Sequence, residues 1–67
     1  MVESIEREII KRLSKSDKEI SNALGFSKLG TKNRIHRLFK KLGARNRTQA
    51  LVIALLDGVI KLEEVQL

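Results

Sequence analysis

The sequence contains no cysteine, no proline, no tryptophan and no tyrosine, and it has a single histidine. Without cysteine the chain can form neither a disulfide nor a thiolate metal site. No apolar run approaches the roughly 20 residues that a membrane-spanning helix needs, and no signal-peptide pattern opens the sequence. No pair of acid–base, nucleophilic or metal-ligating groups is placed together. These absences predict a cytoplasmic chain without enzymatic activity, cofactor, metal, small-molecule ligand or membrane partner.

Acidic residues are missing from the middle of the chain. None occurs between Ile20 and Leu56, and all eight lie before or after that segment. The net charge of +6 is typical of proteins that bind a polyanion. An ordinary solvated face is one alternative; a membrane-surface helix is another, but the segment has no tryptophan and only two phenylalanines. The basic residues of this segment are Lys28, Lys32, Arg34, Arg37, Lys40, Lys41, Arg45 and Arg47.

Four helical segments are predicted from apolar spacing and from the residues that punctuate it. The first covers about residues 3–13. The second covers 17–24, after a capping box formed by Ser16 and Glu19, and stops at Gly25. The third covers 27–42 and the fourth runs from Asn46 to Asp57. The tail, residues 59–67, receives no assignment. We therefore expect an all-α fold, a compact four-helix domain spanning residues 1–67.

Apolar residues at helical spacing also predict the inner side of each segment. On the third segment, the polar side chains of Asn33, His36, Arg37, Lys40 and Lys41 point away from that side. The predicted inner residues are Ile5, Ile9, Ile10, Leu13, Ile20, Ala23, Leu24, Ile35, Leu38, Phe39, Leu42, Ala50, Ile53 and Ala54.

The second and third segments have the pattern of a helix-turn-helix. Gly25 occupies a tight turn, Ser21 is small where the helices must approach, and the outer side of the second helix is basic. In such motifs the second helix enters the DNA major groove. Any short helical hairpin needs small and apolar residues, so the pattern alone is moderately specific for double-stranded DNA.

A longer segment carries a family resemblance. Residues 40–50, KKLGARNRTQA, closely resemble the signature of the LuxR/GerE family of bacterial transcription regulators. Lys18-Glu19-Ile20 is similar to the scaffold-helix motif of that family, and the resemblance extends from about Ile5 to Val59. It implies a four-helix DNA-binding domain whose third helix lies in the major groove. The fourth helix of such domains commonly pairs with a second subunit, which implies a homodimeric transcription regulator.

Carried over by position, the resemblance implies that Lys32, Asn33 and His36 face the bases. Lysine can donate to guanine O6 and N7, and asparagine can pair bidentately with adenine, so the chemistry agrees. Basic side chains beside that face would position the domain through phosphates. The resemblance places Ser27, Lys18 and Arg34 near phosphates, and the wider set expected there is Lys18, Ser27, Lys28, the backbone N–H of Gly30, Arg34, Arg37 and Lys40.

The sequence departs from the family pattern in places. Gly30 and Thr31 stand where the family usually has threonine and valine, and Arg34 stands where it often has histidine. Glu6 aligns with a family carboxylate that would pair with Arg47, although a solvated glutamate in the first turn of a helix is an equal alternative. Arg47 is accordingly open between an ion pair and a phosphate contact.

The fourth segment has no polar residue from Ala50 to Leu56, which implies burial on more than one side. Ala50, Ile53 and Ala54 are predicted to face the core. An isologous dimer contact would then use the remaining side chains, Leu51, Val52, Leu55 and Leu56. Alternatively the tail covers this face with Val59, Ile60, Leu62 and Val65. A protein-interaction module with an idle DNA face is the rival functional hypothesis.

Overall fold

The computed structural model describes residues 2–67; Met1, with which the predicted domain begins, lies outside them. The described residues contain no strand and form four α-helices, so the predicted all-α fold class is confirmed. No helix among them is long and apolar enough to cross a membrane. The helices are α1 (Ser4–Lys11), α2 (Asp17–Leu24), α3 (Lys28–Leu42) and α4 (Arg47–Leu56), followed by a short 3₁₀ helix, Leu62–Glu64.

Helix starts are set by side-chain caps that satisfy free backbone N–H groups. The predicted box before α2 is present: Glu19 N donates to Ser16 Oγ at 3.2 Å, and Ser16 N donates to Glu19 Oε1 at 3.3 Å. Asn46 caps α4, because its Oδ1 accepts from Gln49 N at 2.9 Å. Gly25 ends α2 in the left-handed conformation, with a φ of 73°. These local predictions are confirmed.

The first helix is shorter than the predicted segment 3–13. After Lys11 the backbone tightens, since Arg12 N donates to Ile9 O at 3.0 Å and Leu13 N to Ile10 O at 3.2 Å. Leu13 therefore lies beyond the helix end, yet it stays buried in the core.

The core lies where α1, α3 and α4 contact one another, and Ile20 of α2 also belongs to it. The prediction that Ala23 faces inward was wrong: Ala23 is exposed. Ser21 is buried instead. At 3.6 residues per turn, Ala23 points away from the side of α2 on which Ile20 and Ser21 lie. Ile5, Leu24, Phe39, Leu42 and Ile53 are half-buried. The fully buried apolar residues are Ile9, Ile10, Leu13, Ile20, Ile35, Leu38, Ala50, Ala54 and Ile60.

A buried polar link joins the two helices of the helix-turn-helix. The hydroxyls of Ser21 and Thr31 are hydrogen-bonded at 2.8 Å, and Ser21 Oγ also lies 2.7 Å from the Asp17 carbonyl to which it donates. Thr31 is completely buried. Because a buried hydroxyl needs a partner, this link favours one register of α3 against α2. Ser21 is thus a small residue at a point where α2 and α3 approach each other, as predicted.

The C-terminal tail folds back along α1. Ile60 is only 2% exposed and belongs to the core. Gln66 N donates to Lys11 O at 2.8 Å, and Arg7 Nε donates to Val59 O at 3.1 Å. The tail is thus a packed part of the structure, attached mainly to the first helix.

Candidate nucleic-acid interface

One side of α3 is exposed along the whole helix; we call it the outer face. Thr31, Ile35 and Leu38 are buried on the opposite side and hold the helix against the core. Since the buried residues occupy one stripe, the helix geometry turns the others outward together. The outer face consists of Lys28, Leu29, Lys32, Asn33, His36, Arg37 and Lys40.

One carboxylate, Asp17, lines the surface beside Lys28 and Lys32, but it binds Arg47. Within residues 2–67, none of Lys28, Lys32, Arg37 and Lys40 forms an ion pair. The nearest stretch of chain contains no acidic residue, so none can pair along α3 itself. The outer face therefore carries an uncompensated positive potential, which attracts polyanions.

Ser27 and Gly30 form the cap at the start of α3. Gly30 N donates to Ser27 Oγ at 3.0 Å, so the N–H that was expected to reach a phosphate is already used within the helix start. The Ser27 hydroxyl accepts in this bond and keeps its own hydrogen for another acceptor. A Cβ at position 30 would lie 2.9 Å from Ser27 Oγ, so the glycine gives this cap its room.

Arg34 lies on the flank of α3, half-buried, with its guanidinium carbon 4.4 Å from the centre of the Phe26 ring. A guanidinium at this distance from an aromatic face is attracted by the ring quadrupole. The turn residue Phe26 therefore holds Arg34 in position at one edge of the outer face.

Glu6 neither pairs with Arg47 nor is solvated, so both alternatives for it were wrong; it is buried. Its Oε1 accepts from Lys41 Nζ at 2.9 Å and from Glu3 N at 2.9 Å. Burial raises the pKa of Glu6, but the Glu3 N–H and the Lys41 ammonium together outweigh burial and lower the pKa below its ordinary value. The pair links α1 to the last turn of α3, because the two helices pack side by side there.

Arg47 takes a structural position. Its guanidinium binds the Asp17 carboxylate and donates to the carbonyls of Lys15, at 2.6 Å, and Leu13, at 3.4 Å. One side chain at the start of α4 thus holds the connection between α1 and α2. Arg47 thus forms an ion pair, with Asp17 in place of Glu6.

The base-facing candidates Lys32, Asn33 and His36 are all exposed on the outer face. A shallow cavity lies beside Lys32 and His36 and is also lined by Asp17 and Phe39. Leu29 lies on the same face and is 68% exposed, but it was not among the predicted site residues. Its place four residues before Asn33 was a readable signal, since such residues are neighbours on a helix.

The fourth helix leaves part of its apolar surface open. Ala50 and Ala54 are buried as predicted, whereas Val52 is 48% and Leu56 is 80% exposed. The tail covers the core with Ile60, Val59 and Val65, but Leu62 remains 74% exposed. An open groove between the end of α1 and α4 is lined by Leu13, Ser14, Arg47, Thr48, Leu51, Val52 and Leu55.

Comparison with known proteins agrees with this arrangement. Residues 5–54, about three quarters of the chain, match the family model described as bacterial regulatory proteins, luxR family. Neither a curated protein nor a solved structure matches the chain. The matched range includes all of α2 and α3 and most of α1 and α4, with the helix-turn-helix at its centre. The chain belongs to the LuxR family of bacterial regulatory proteins, whose helix-turn-helix domains bind DNA.

Proposed function

We propose that this chain is a transcription regulator that reads double-stranded DNA by sequence, with α3 in the major groove, and acts as a homodimer through α4. The observation that carries the proposal is the outer face of α3, where exposed cations without carboxylate partners surround Asn33 and His36. The major groove is wide enough to admit an α-helix, and the positive potential of α3 complements the phosphates.

Sequence reading is assigned to Lys32, Asn33 and His36. They stand at positions i, i+1 and i+4 of one exposed surface, so a single approach of α3 presents all three to neighbouring base pairs. Lysine donates to guanine O6 and N7, and the asparagine amide can both accept from adenine N6 and donate to adenine N7. His36 can donate to either purine N7.

Positioning is assigned to the groups around them. Lys28, Arg37 and Lys40 stand on the same face, and Lys18 is exposed in the first turn of α2. The Ser27 hydroxyl and the Arg34 guanidinium flank these cations. Gly30 is assigned to the cap of α3: its N–H is bonded to Ser27 Oγ, and its lack of a side chain leaves room for that bond. Contacts of this kind set register and carry no sequence information.

The proposed dimer uses Leu51, Val52, Leu55 and Leu56 of α4; Val52 and Leu56 are exposed, and Leu51 and Leu55 are half-buried. Its support is the exposure of Val52 and Leu56 beside an apolar groove that the folded tail leaves open. A self-complementary contact around a two-fold axis would bring together the same helix from each subunit. Two α3 helices could then enter successive turns of the major groove, about 34 Å apart.

Selection from a randomised duplex pool tests the reading of sequence. Binding is followed by fluorescence anisotropy at two salt concentrations, and the retained DNA is sequenced. We expect an enriched inverted repeat and affinity that falls steeply with salt. Binding without enrichment would indicate a non-specific DNA coat. No binding at low salt would favour the protein-interaction module instead.

Two variants separate the assigned roles. Asn33→Ala should flatten the preference among sequences, because it removes a base contact. Lys40→Ala should weaken binding nearly uniformly, because it removes a phosphate contact. Equal losses of both variants on enriched and random duplexes would show that the roles are wrong.

The dimer is tested by Val52→Glu, measured by sedimentation equilibrium with Leu62→Glu as the matched control. Both side chains are exposed, so each charge is tolerated in a monomer, but only Val52 lies on α4. We expect Val52→Glu to shift the protein to monomer and Leu62→Glu to leave a dimer. A wild-type monomer at all concentrations, with and without DNA, would refute the dimer.

A further inference from the structure

Leu29 is the one apolar side chain on the outer face of α3 in the described part of the chain. It is 68% exposed and takes no part in the core or in the half-buried residues packed against the core. Isolated exposed leucines are common on protein surfaces and need no explanation by themselves. The position of Leu29 relative to its neighbours on α3 is what distinguishes it.

Leu29 stands beside the proposed base-reading residues. Lys32 and Asn33 follow it by three and four residues, which places their side chains next to it on the helix surface. It also lies in the first turn of α3, and recognition helices contact base edges chiefly with their N-terminal residues. A side chain here would be among the first to enter the groove.

The chemistry of the groove leaves one suitable contact for leucine. Leucine neither donates nor accepts a hydrogen bond, so it gains nothing from a phosphate. In the major groove, guanine, adenine and cytosine present hydrogen-bonding groups, whereas thymine adds a C5-methyl group. A leucine pressed against a donor or acceptor would leave that group unpaired and cost binding free energy.

We propose that Leu29 is a specificity-determining residue that recognises the C5-methyl group of a thymine, next to the bases read by Lys32 and Asn33. The inference rests on the proposed function and adds to it a defined base at a defined place in each half-site. Leu29 favours thymine by burying the methyl group and disfavours the other bases by leaving their polar groups without partners.

A protein partner at Leu29 is less consistent with its surroundings. The open surface beside it is lined by Lys28, Lys32 and Asp17. An apolar docking patch needs several apolar residues together, and on the outer face Leu29 has only polar neighbours. Contact with a base methyl group needs only one apolar side chain, which fits the site.

The test replaces thymine by uracil, which lacks only the methyl group. Each thymine of the duplex enriched by the wild-type chain is replaced singly, at the same position of both half-sites, and affinities are measured for wild type, Leu29→Ala and Leu62→Ala. At one position we expect uracil to lower wild-type affinity about fourfold per half-site, the equivalent of ~0.8 kcal/mol for one methyl-sized group. Leu29→Ala should bind the thymine and uracil duplexes equally, and Leu62→Ala should behave as wild type.

The outcomes separate this inference from the proposed function. If an enriched motif exists but no uracil substitution affects binding, or if Leu29→Ala keeps the full sensitivity to uracil, Leu29 does not read a methyl group and the regulator proposal stands. If Leu29→Ala lowered affinity, relative to wild type, by the same factor on the thymine and the uracil duplex, Leu29 would contact the sugar–phosphate backbone and the inference would be overturned. If no duplex is enriched, the proposed function fails and this inference fails with it.

Discussion

Basic residues occur on both α1 and α3, but their surroundings are opposite. On α1, Lys11 Nζ lies 2.9 Å from Glu8 Oε2 and 3.4 Å from Glu64 Oε2, and at the end of this helix Arg12 Nη1 lies 2.8 Å from Glu8 Oε1. Arg7 lies 3.7 Å from Glu64. On the outer face of α3, no cation has a carboxylate partner within the described residues.

The difference follows from where the acidic residues stand. Glu8 precedes Lys11 and Arg12 by three and four residues, so the pairs form along one helix. The tail then brings Glu64 to the same place. The segment 20–56 has no acidic residue, so α3 can pair only at its edge, where Lys41 meets Glu6. Identical residue types therefore stabilise the fold in one region and create a binding potential in the other.

The strongest test of this comparison removes cations from each region. Arg37→Ala combined with Lys40→Ala should weaken DNA binding about tenfold per lost contact near 0.1 M salt, or about a hundredfold per subunit, and lower the salt slope by about 2 per subunit. The matched control, Arg7→Ala combined with Lys61→Ala, makes the same change in net charge on α1 and the tail. Equal losses of affinity in the two double variants would mean that net charge alone controls binding.

Arg47 sharpens the comparison because it lies in the basic segment yet is paired. Arg47→Ala should lower the free energy of unfolding by about 2 kcal/mol, since it leaves the Asp17 carboxylate and two carbonyls without their donor. Urea unfolding measures this loss, and Arg45→Ala, at an exposed position, is the control. If Arg47→Ala instead kept stability and lowered the salt slope of DNA binding, Arg47 would be a phosphate contact.

Acid should protonate the carboxylates that pair with the cations of α1 and so leave those cations unpaired, like the cations of the outer face. The Arg12 and Lys11 side chains lower the pKa of Glu8, and the Lys61 N–H and the Lys11 ammonium lower that of Glu64. A carboxyl group whose pKa is lower in the folded state stabilises the fold above its unfolded pKa, near 4.5, and the stabilisation is lost as pH falls through the folded value. We expect the melting temperature to drop by a few degrees below about pH 4.5.

The same measurement on variants identifies the groups that titrate. Glu8→Gln should be less stable at neutral pH and lose less stability in acid than the wild type does. Glu63→Gln, at an exposed glutamate without an ion pair in residues 2–67, should follow the wild-type curve. If the Glu8→Gln curve kept the full wild-type fall in acid, the pairs on α1 would not be the cause.

The smallest effect is expected for one paired cation. Lys11→Met keeps the aliphatic stem and removes the charge, so the loss of stability should be small, as for other partly exposed pairs. The salt slope of DNA binding should not change. A lower slope would place Lys11 among the phosphate contacts and weaken the distinction between the two regions.

Features that depend on nearby residues were readable from the sequence. The cap of α2 by Ser16 and Glu19 and that of α4 by Asn46 were predicted because each bond spans three residues. The outer face of α3 followed from the spacing of its apolar residues. Local geometry is the same in every helix, so residue order was sufficient for these features.

Features that join distant parts of the chain were missed or mistaken. Glu6 and Lys41 are 35 positions apart, and Arg47 and Asp17 are 30 apart, so their pairing depends on which helices become neighbours. The burial of Ser21 in place of Ala23 depends likewise on the angle at which α2 meets α3.

The sequence by itself determined the helices, their ends, the basic character of α3 and the family to which the chain belongs. Only the tertiary structure decided which cations are neutralised, which form no ion pair within the described residues, and where the tail lies. The physical reason is range: caps and helical stripes form between residues a few positions apart, whereas ion pairs such as Glu6–Lys41 exist only after packing has brought separate helices together.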